Sequence, residues 1–337
     1  MRGRCVARIG IDLGSGPSRL IRRCSHVGGY LITTSTHLNG RGTCGRRGVK
    51  EDIRAELAAR AAYRRVVIVE ARRGIELGVR DKRALVAVPT PKPAPGTAFP
   101  PRRLTLRGVP VFELGLWCGT CPAIFQRLSE PESADLGVAN GKLNSGLAAI
   151  DDGVLRAYGR ALPKSQYTSL LLDVSPQLVS PGDTSDYFSH EQVATWGVDS
   201  AVGAPENPIT PYYRTFETPV GERGHLYEFV VPMVPPAWNA NQRVADYGDP
   251  IEDAVPTAVA YSLLDVVQPA MDEGDDYYEH WVLTHFLLDG HHKVEAASAA
   301  GRPVRLLSLI DERISIASPE ELAAALGARA QERQSRV

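Results

Sequence analysis

The sequence predicts an α+β protein: a mixed, largely antiparallel sheet with flanking helices. Three observations carry that expectation. Short runs of apolar, β-branched and aromatic residues recur at 167–174, 212–218, 225–234, 256–267, 280–288 and 303–310, bounded by Gly, Pro, Asp or Ser. No clear βαβ series links them, so density of short strands, not alternation with helices, is the organising pattern. The apolar fraction of 43% with 23% charged residues is that of a folded chain with a core. At 337 residues there is room for two domains, or for one large domain with appendages.

Residues 1–83 stand apart. They hold 19 Lys and Arg against 7 Asp and Glu, whereas the rest of the chain holds 19 against 32. This basic leader is expected to be disordered, or to be an upstream extension from a start site called too early. Within it, 50–65 has early acids and good helix formers, and Val66–Ala71 is a candidate strand. Residues 84–101 read as a Pro-rich, semi-rigid linker.

Residues 102–165 read as a strand, a Cys-x-x-Cys turn, a helix and a further helical segment. Trp117-Cys118-Gly119-Thr120-Cys121 resembles the thioredoxin active site. That resemblance implies Cys118 as a nucleophile activated at a helix N-terminus and Cys121 as the resolving thiol. Zinc is an alternative, but a structural site needs four ligands and there is no second Cys pair. Two packed small thiols are the third reading. Downstream, Ala139, Leu143, Leu147 and Ile150 recur at helical spacing, and Asp151-Asp152-Gly153 interrupts them as a turn and cap before Val154–Leu162.

Residues 166–312 are the strand-rich part. Pro181-Gly182-Asp183 is a turn, Ser189–Gly197 a short helix, and 199–212 a long loop suited to partner contact. The acidic stretch Met271–Glu279 is either a solvated hairpin connection or a site for a divalent cation accompanying a nucleotide. In 313–337, Ser318 caps and Pro319, Glu320 and Glu321 open an amphipathic helix to about Ala330.

The stretch with the clearest chemical content is Asp289-Gly290-His291-His292-Lys293, where an apolar strand runs into an Ala-rich helix. Asp289 is placed to cap that helix, and Gly290 frees the backbone to turn and lets a ligand approach. Cations in a first helical turn oppose the helix dipole unless an anion sits there, so the arrangement reads as a phosphate or carboxylate site. The plainer reading is a tight strand–helix turn whose histidines pack. A metal site using His285, His291 and His292 lacks any His-x-x-x-His spacing.

These residues resemble the signature of the ParB/sulfiredoxin-like superfamily: a strand ending in Asp-Gly-His-His-Arg, a helix with small residues such as Ala296-Ala297, then a Gly, as at Gly301, and a strand, as at Val304. The resemblance covers Trp281 to Ile310. Lys293 stands where Arg is usual, keeping charge without the bidentate fork. His291 stands where sulfiredoxins carry their catalytic Cys and partition proteins a Glu. The resemblance implies phosphate contact by His292 and Lys293, Gly290 in the cradle, and Asp289 and His291 as candidate catalytic groups. The implied ligand is a nucleotide or another phosphate-bearing small molecule, a nucleoside triphosphate with Mg²⁺ being the natural form. Kinases of free amino acids and nucleases occur among members.

Composition narrows the partners. No apolar run reaches membrane-spanning length, and charges interrupt every candidate secretory core. The acidic body argues against a broad nucleic-acid surface. Five Cys at irregular spacing do not suggest a disulfide framework, which makes a cytoplasmic location the default. Three functions therefore stand open: a phosphate-binding turn, a thiol oxidoreductase, and a non-enzymatic interaction protein.

Overall fold

Among the described residues, the computed structural model holds a sheet of eight strands, a second of four, a third of two, and five helices. It describes residues 67–80, 83–89, 102–114, 125–131, 136, 141–180, 183, 186, 189, 198–199, 204–205, 211–235, 239–248, 255–267 and 279–331. The strands are β1 Val67–Leu77, β2 Val86–Ala87, β3 Arg103–Leu106, β4 Val109–Leu114, β5 Phe125–Arg127, β6 Ser165–Val174, β7 Gln177–Val179, β8 Val198–Asp199, β9 Ala204–Pro205, β10 Tyr212–Val220, β11 Gly224–Val231, β12 Thr257–Val267, β13 Glu279–Asp289 and β14 Val304–Asp311. The helices are α1 Lys142–Ser145, α2 Asp152–Gly159, α3 Asn241–Gly248, α4 His291–Ala299 and α5 Pro319–Gln331.

The large sheet has the order β1-β6-β14-β12-β13-β11-β10-β7. The pairs β12/β14 and β11/β13 are parallel and the others antiparallel. The small sheet, β2-β3-β4-β5, is wholly antiparallel. Alternation along the central strands sends side chains to two cores. On one face Tyr227, Phe229, Tyr261 and Phe286 meet Phe112 and Phe125 of the small sheet and Leu155 and Tyr158 of α2. On the other, Leu226, Leu264, Leu283 and Leu287 meet Val294 of α4 and Leu322 and Ala325 of α5. Covered on both faces, β12 and β13 are buried nearly throughout and carry apolar runs on both sides of the pleat, as central strands require.

One polar row crosses the α5 side of the sheet. Ser308 donates to Ser262 at 2.9 Å, and Ser262 lies 2.8 Å from His285 Nδ1. Glu228 accepts from Thr215 at 2.8 Å and from Arg329 of α5 at 2.7 and 3.2 Å. Burial works against a charge on Glu228, but Arg329 and the hydrogen bonds override it and hold the carboxyl well below its ordinary range. Ser262, His285 and Glu228 are fully buried, and the Glu228–Arg329 pair ties α5 to the sheet.

The structure corrects several sequence expectations. Residues 67–77, assigned to the leader, form β1 and pair with β6. As an edge strand β1 keeps Glu70, Arg72 and Arg73 outside the core, so its charge resembled that of the basic segment before it. Residues 84–89, assigned to the linker, carry β2, and Val86 is fully buried. Phe125–Arg127 extends the small sheet instead of opening a helix. Between 130 and 161 the described helices are the short α1 and α2; Asp151 caps α2 by accepting from Val154 N–H at 2.9 Å. The division at 165/166 is not a boundary, because one core joins the segments on both sides. The helix expected over 50–65 and the Cys118–Cys121 turn lie outside the described residues. So do nearly all of Ser189–Gly197, the loop 199–212, and the acidic stretch up to Glu279.

Candidate functional site

Strands β11 and β13 run parallel and finish at the same end of the sheet, where β12 begins. The carboxyl ends of parallel strands are where open sheets collect ligands. Here β13 ends at Asp289, Gly290 turns, and α4 starts with the Val294 N–H to Gly290 carbonyl bond at 2.9 Å. Gly290 has φ +92°, and a Cβ there would sit 2.6 Å from Ala258 Cβ and 2.8 Å from Ala258 Cα. Left-handed backbone and close approach to β12 both demand glycine.

Asp289 does not cap α4 as the sequence suggested. Gly290 holds the cap position without a side chain, and the Asp289 carboxylate instead accepts from the Tyr158 hydroxyl at 3.0 Å. The backbone N–H groups of His291, His292 and Lys293 have no acceptor among the described residues.

Successive helical residues diverge by about 100°, so the two histidines reach different ends of one neighbouring segment. His291 Nε2 accepts from Met233 N–H at 3.1 Å, and His292 Nε2 accepts from Ala240 N–H at 3.0 Å. Both bonds need the Nε2 lone pair, hence a neutral ring with its proton on Nδ1. Burial drives the His291 pKa down to about 4. Burial, then the nearby Arg243 charge, lowers that of His292. The segment is clamped further by Arg127, which donates to the carbonyls of Met233 at 2.8 Å and Pro232 at 2.6 Å, and by Asn239, which donates to Glu295 of α4. The histidines therefore hold structure in this arrangement, and the phosphate contact expected of His292 and the catalytic role expected of His291 are not what their Nε2 atoms do.

Lys293 is the unusual member. It is only 4% exposed, yet among the described residues its ammonium donates a single hydrogen bond, to the Thr257 carbonyl at 3.0 Å. The Tyr247 ring of α3 lies over it, its centroid 5.8 Å from Nζ. Burial lowers the Lys293 pKa and the Asp289 charge partly restores it. Arg243 of α3 is exposed and has no hydrogen-bonded or ionic partner among the described residues.

The structure thus brings Asp289, Gly290, His291, His292 and Lys293 together with Tyr158, Asn239, Arg243, Tyr247 and Glu295, which sequence reasoning missed. Tyr158 lies 131 residues from its partner, beyond any local pattern. Helix α3 did have a signal, because Gln242 to Tyr247 contains no strong helix breaker. His285 projects to the α5 side of the sheet, bonded to Ser262, and does not join the other two histidines. Among the described residues no group of three or more His, Cys, Asp or Glu is arranged to hold a metal, and no helix is long and apolar enough to cross a membrane. No family model, curated protein or solved structure matches the chain.

Proposed function

We propose that the α4 turn binds the phosphate of a nucleotide or of a similar small molecule, as its resemblance to ParB/sulfiredoxin-like turns implies. The observation that carries this is Lys293, buried in a first helical turn with one acceptor among the described residues for the three donors of its ammonium. A cation so placed is opposed both by burial and by the helix dipole. A phosphate would relieve both, accepting from the spare ammonium donors and from the N–H groups of His291, His292 and Lys293. Arg243 adds a second cation from α3. Asp289, held by Tyr158, is the group at the turn best able to take a proton, because His291 Nε2 is already engaged.

The test is the melting temperature of the full chain with ATP, CTP or pyrophosphate, each with Mg²⁺, beside the Lys293→Met variant. Ligand at a hundred times its Kd stabilises by about 2.7 kcal/mol, or on the order of 5 °C for a body of this size. The expected result is a shift in the parent that Lys293→Met loses. No shift at millimolar ligand, or an equal shift in both proteins, would overturn the assignment.

A further inference from the structure

Lys293 can meet a ligand only if something moves, and the structure indicates what that is. Helix α3 contributes nothing to either core: no residue from Asn241 to Tyr247 is buried. Its principal packing partner is α4. Yet it places Tyr247 over the ammonium of a lysine that is only 4% exposed. A well-exposed helix thus covers a deeply buried cation.

Among the described residues, the hydrogen bonds that attach α3 and the two residues before it to the rest of the protein number four. Ala240 N–H donates to His292, Asn239 donates to Glu295, the Tyr247 hydroxyl donates to Asn144 at 3.2 Å, and Arg302 donates to the Tyr247 carbonyl at 3.1 Å. Three of these involve α4 or the residues just after it, so breaking them leaves both sheets intact. The Met233 end is different. There Arg127 and His291 grip a buried segment at the end of β11, and that end stays fixed as a hinge post. Arg243 has no partner in the closed position among the described residues and lies near enough to His292 to depress its pKa.

We infer that α3 is a lid over the α4 turn: it opens about the Met233 anchor to expose Lys293, and closes again with Arg243 and Tyr247 against the bound phosphate-bearing ligand. The inference rests on the phosphate reading of the turn for its ligand, but its opening step is independent of any ligand. The four tethers among the described residues, at ordinary net strength, each contribute roughly a factor of five, which favours closed over open by about 600-fold. Core strands such as β12 open only with global unfolding, at ratios of at least about 10⁴.

Hydrogen exchange of the full chain tests the opening. Without ligand, the amides of Val244 to Gly248 are expected to exchange at least tenfold faster than those of β12. Reductive methylation of Lys293 is expected to be at least tenfold faster in Tyr247→Ala than in the parent. Exchange of α3 only at the rate of β12 overturns the lid, and needs no variant to fold. The second arm adds ATP with Mg²⁺ at a concentration that raises the melting temperature. Slowing of α3 exchange by tenfold or more, lost in Arg243→Ala, is the expected result. A Lys293-dependent melting shift with α3 exchange unchanged overturns the lid and leaves the phosphate reading standing. No melting shift and no change in exchange removes the phosphate reading, and with it the ligand on which the lid would close.

Discussion

Replacing Gly290 by Ala probes the turn through a single methyl group. The backbone there is left-handed at φ +92°, which for an L-residue costs about 1–2 kcal/mol. The new Cβ would also fall 2.6 Å from Ala258 Cβ and 2.8 Å from its Cα. Both are rigid parts of β12, so relief requires backbone movement, and overpacking of that kind costs roughly 1–3 kcal/mol. Against this, Ala restricts the unfolded chain and returns about 0.4–1 kcal/mol. The net loss is on the order of 2–4 kcal/mol. Gly301, just past the other end of α4, is the internal control: its φ is +59°, but a Cβ there meets nothing within 4 Å. Gly301→Ala carries the left-handed cost alone, about 1 kcal/mol or less after the same entropic return. Urea unfolding of the two variants, read as midpoint shifts at unchanged slope, gives the comparison. Equal losses would refute the close packing of the turn on β12, and with it the geometry that presents the first turn of α4.

Two further outcomes follow from the buried polar groups. Arg329→Met leaves Glu228 buried without its cation and is expected to cost about 3–5 kcal/mol. Adding Glu228→Gln should recover much of that, because the amide can still bond Thr215; a double-mutant cycle by urea unfolding checks it, and a simple sum of the two losses would contradict it. His291 has a folded-state pKa of about 4 against 6.5 for the free side chain, so the unfolded chain takes up this proton first as pH falls. Its contribution is complete above pH 6.5 and is lost as pH falls toward 4, about 3 kcal/mol in all. His291→Gln, which can still accept from Met233, should flatten the stability–pH curve over that window by close to one proton. His225 and His280, lowered to about 4 and about 3 by burial, leave a residual slope, and an unchanged slope in the variant would show that His291 is not held neutral.

What was legible in the sequence depended on whether the cause was local. Strands β12, β13 and β14 are buried on both faces, so long apolar runs announced them, and Ser318 with Pro319 announced α5 through cap chemistry; Ser318 Oγ does accept from Glu321 N–H at 3.1 Å. The α+β class and the mixed, largely antiparallel sheet followed from the same runs. Strand β1 was obscured because an edge strand need not alternate apolar and polar residues cleanly. At the turn, the need for Gly290 was local and readable. The fates of Asp289, His291, His292 and Lys293 were not, since their partners Tyr158, Met233, Ala240 and Thr257 come from elements 36 to 131 residues away. A His-His-Lys run looks cationic in one dimension. In three dimensions the Nε2 atoms of two of its members are neutral acceptors, and among the described residues the Lys293 ammonium meets one acceptor.

The most direct measurement of the central claim is a titration of ¹⁵N-labelled protein with ATP and Mg²⁺, following the backbone amides of His291, His292 and Lys293. An anion seated on the first turn of α4 must shift those resonances saturably, and Lys293→Met must abolish the shifts while the rest of the spectrum stays native. Shifts confined to other parts of the chain, or none at millimolar nucleotide, would contradict the account and leave the turn as structure alone.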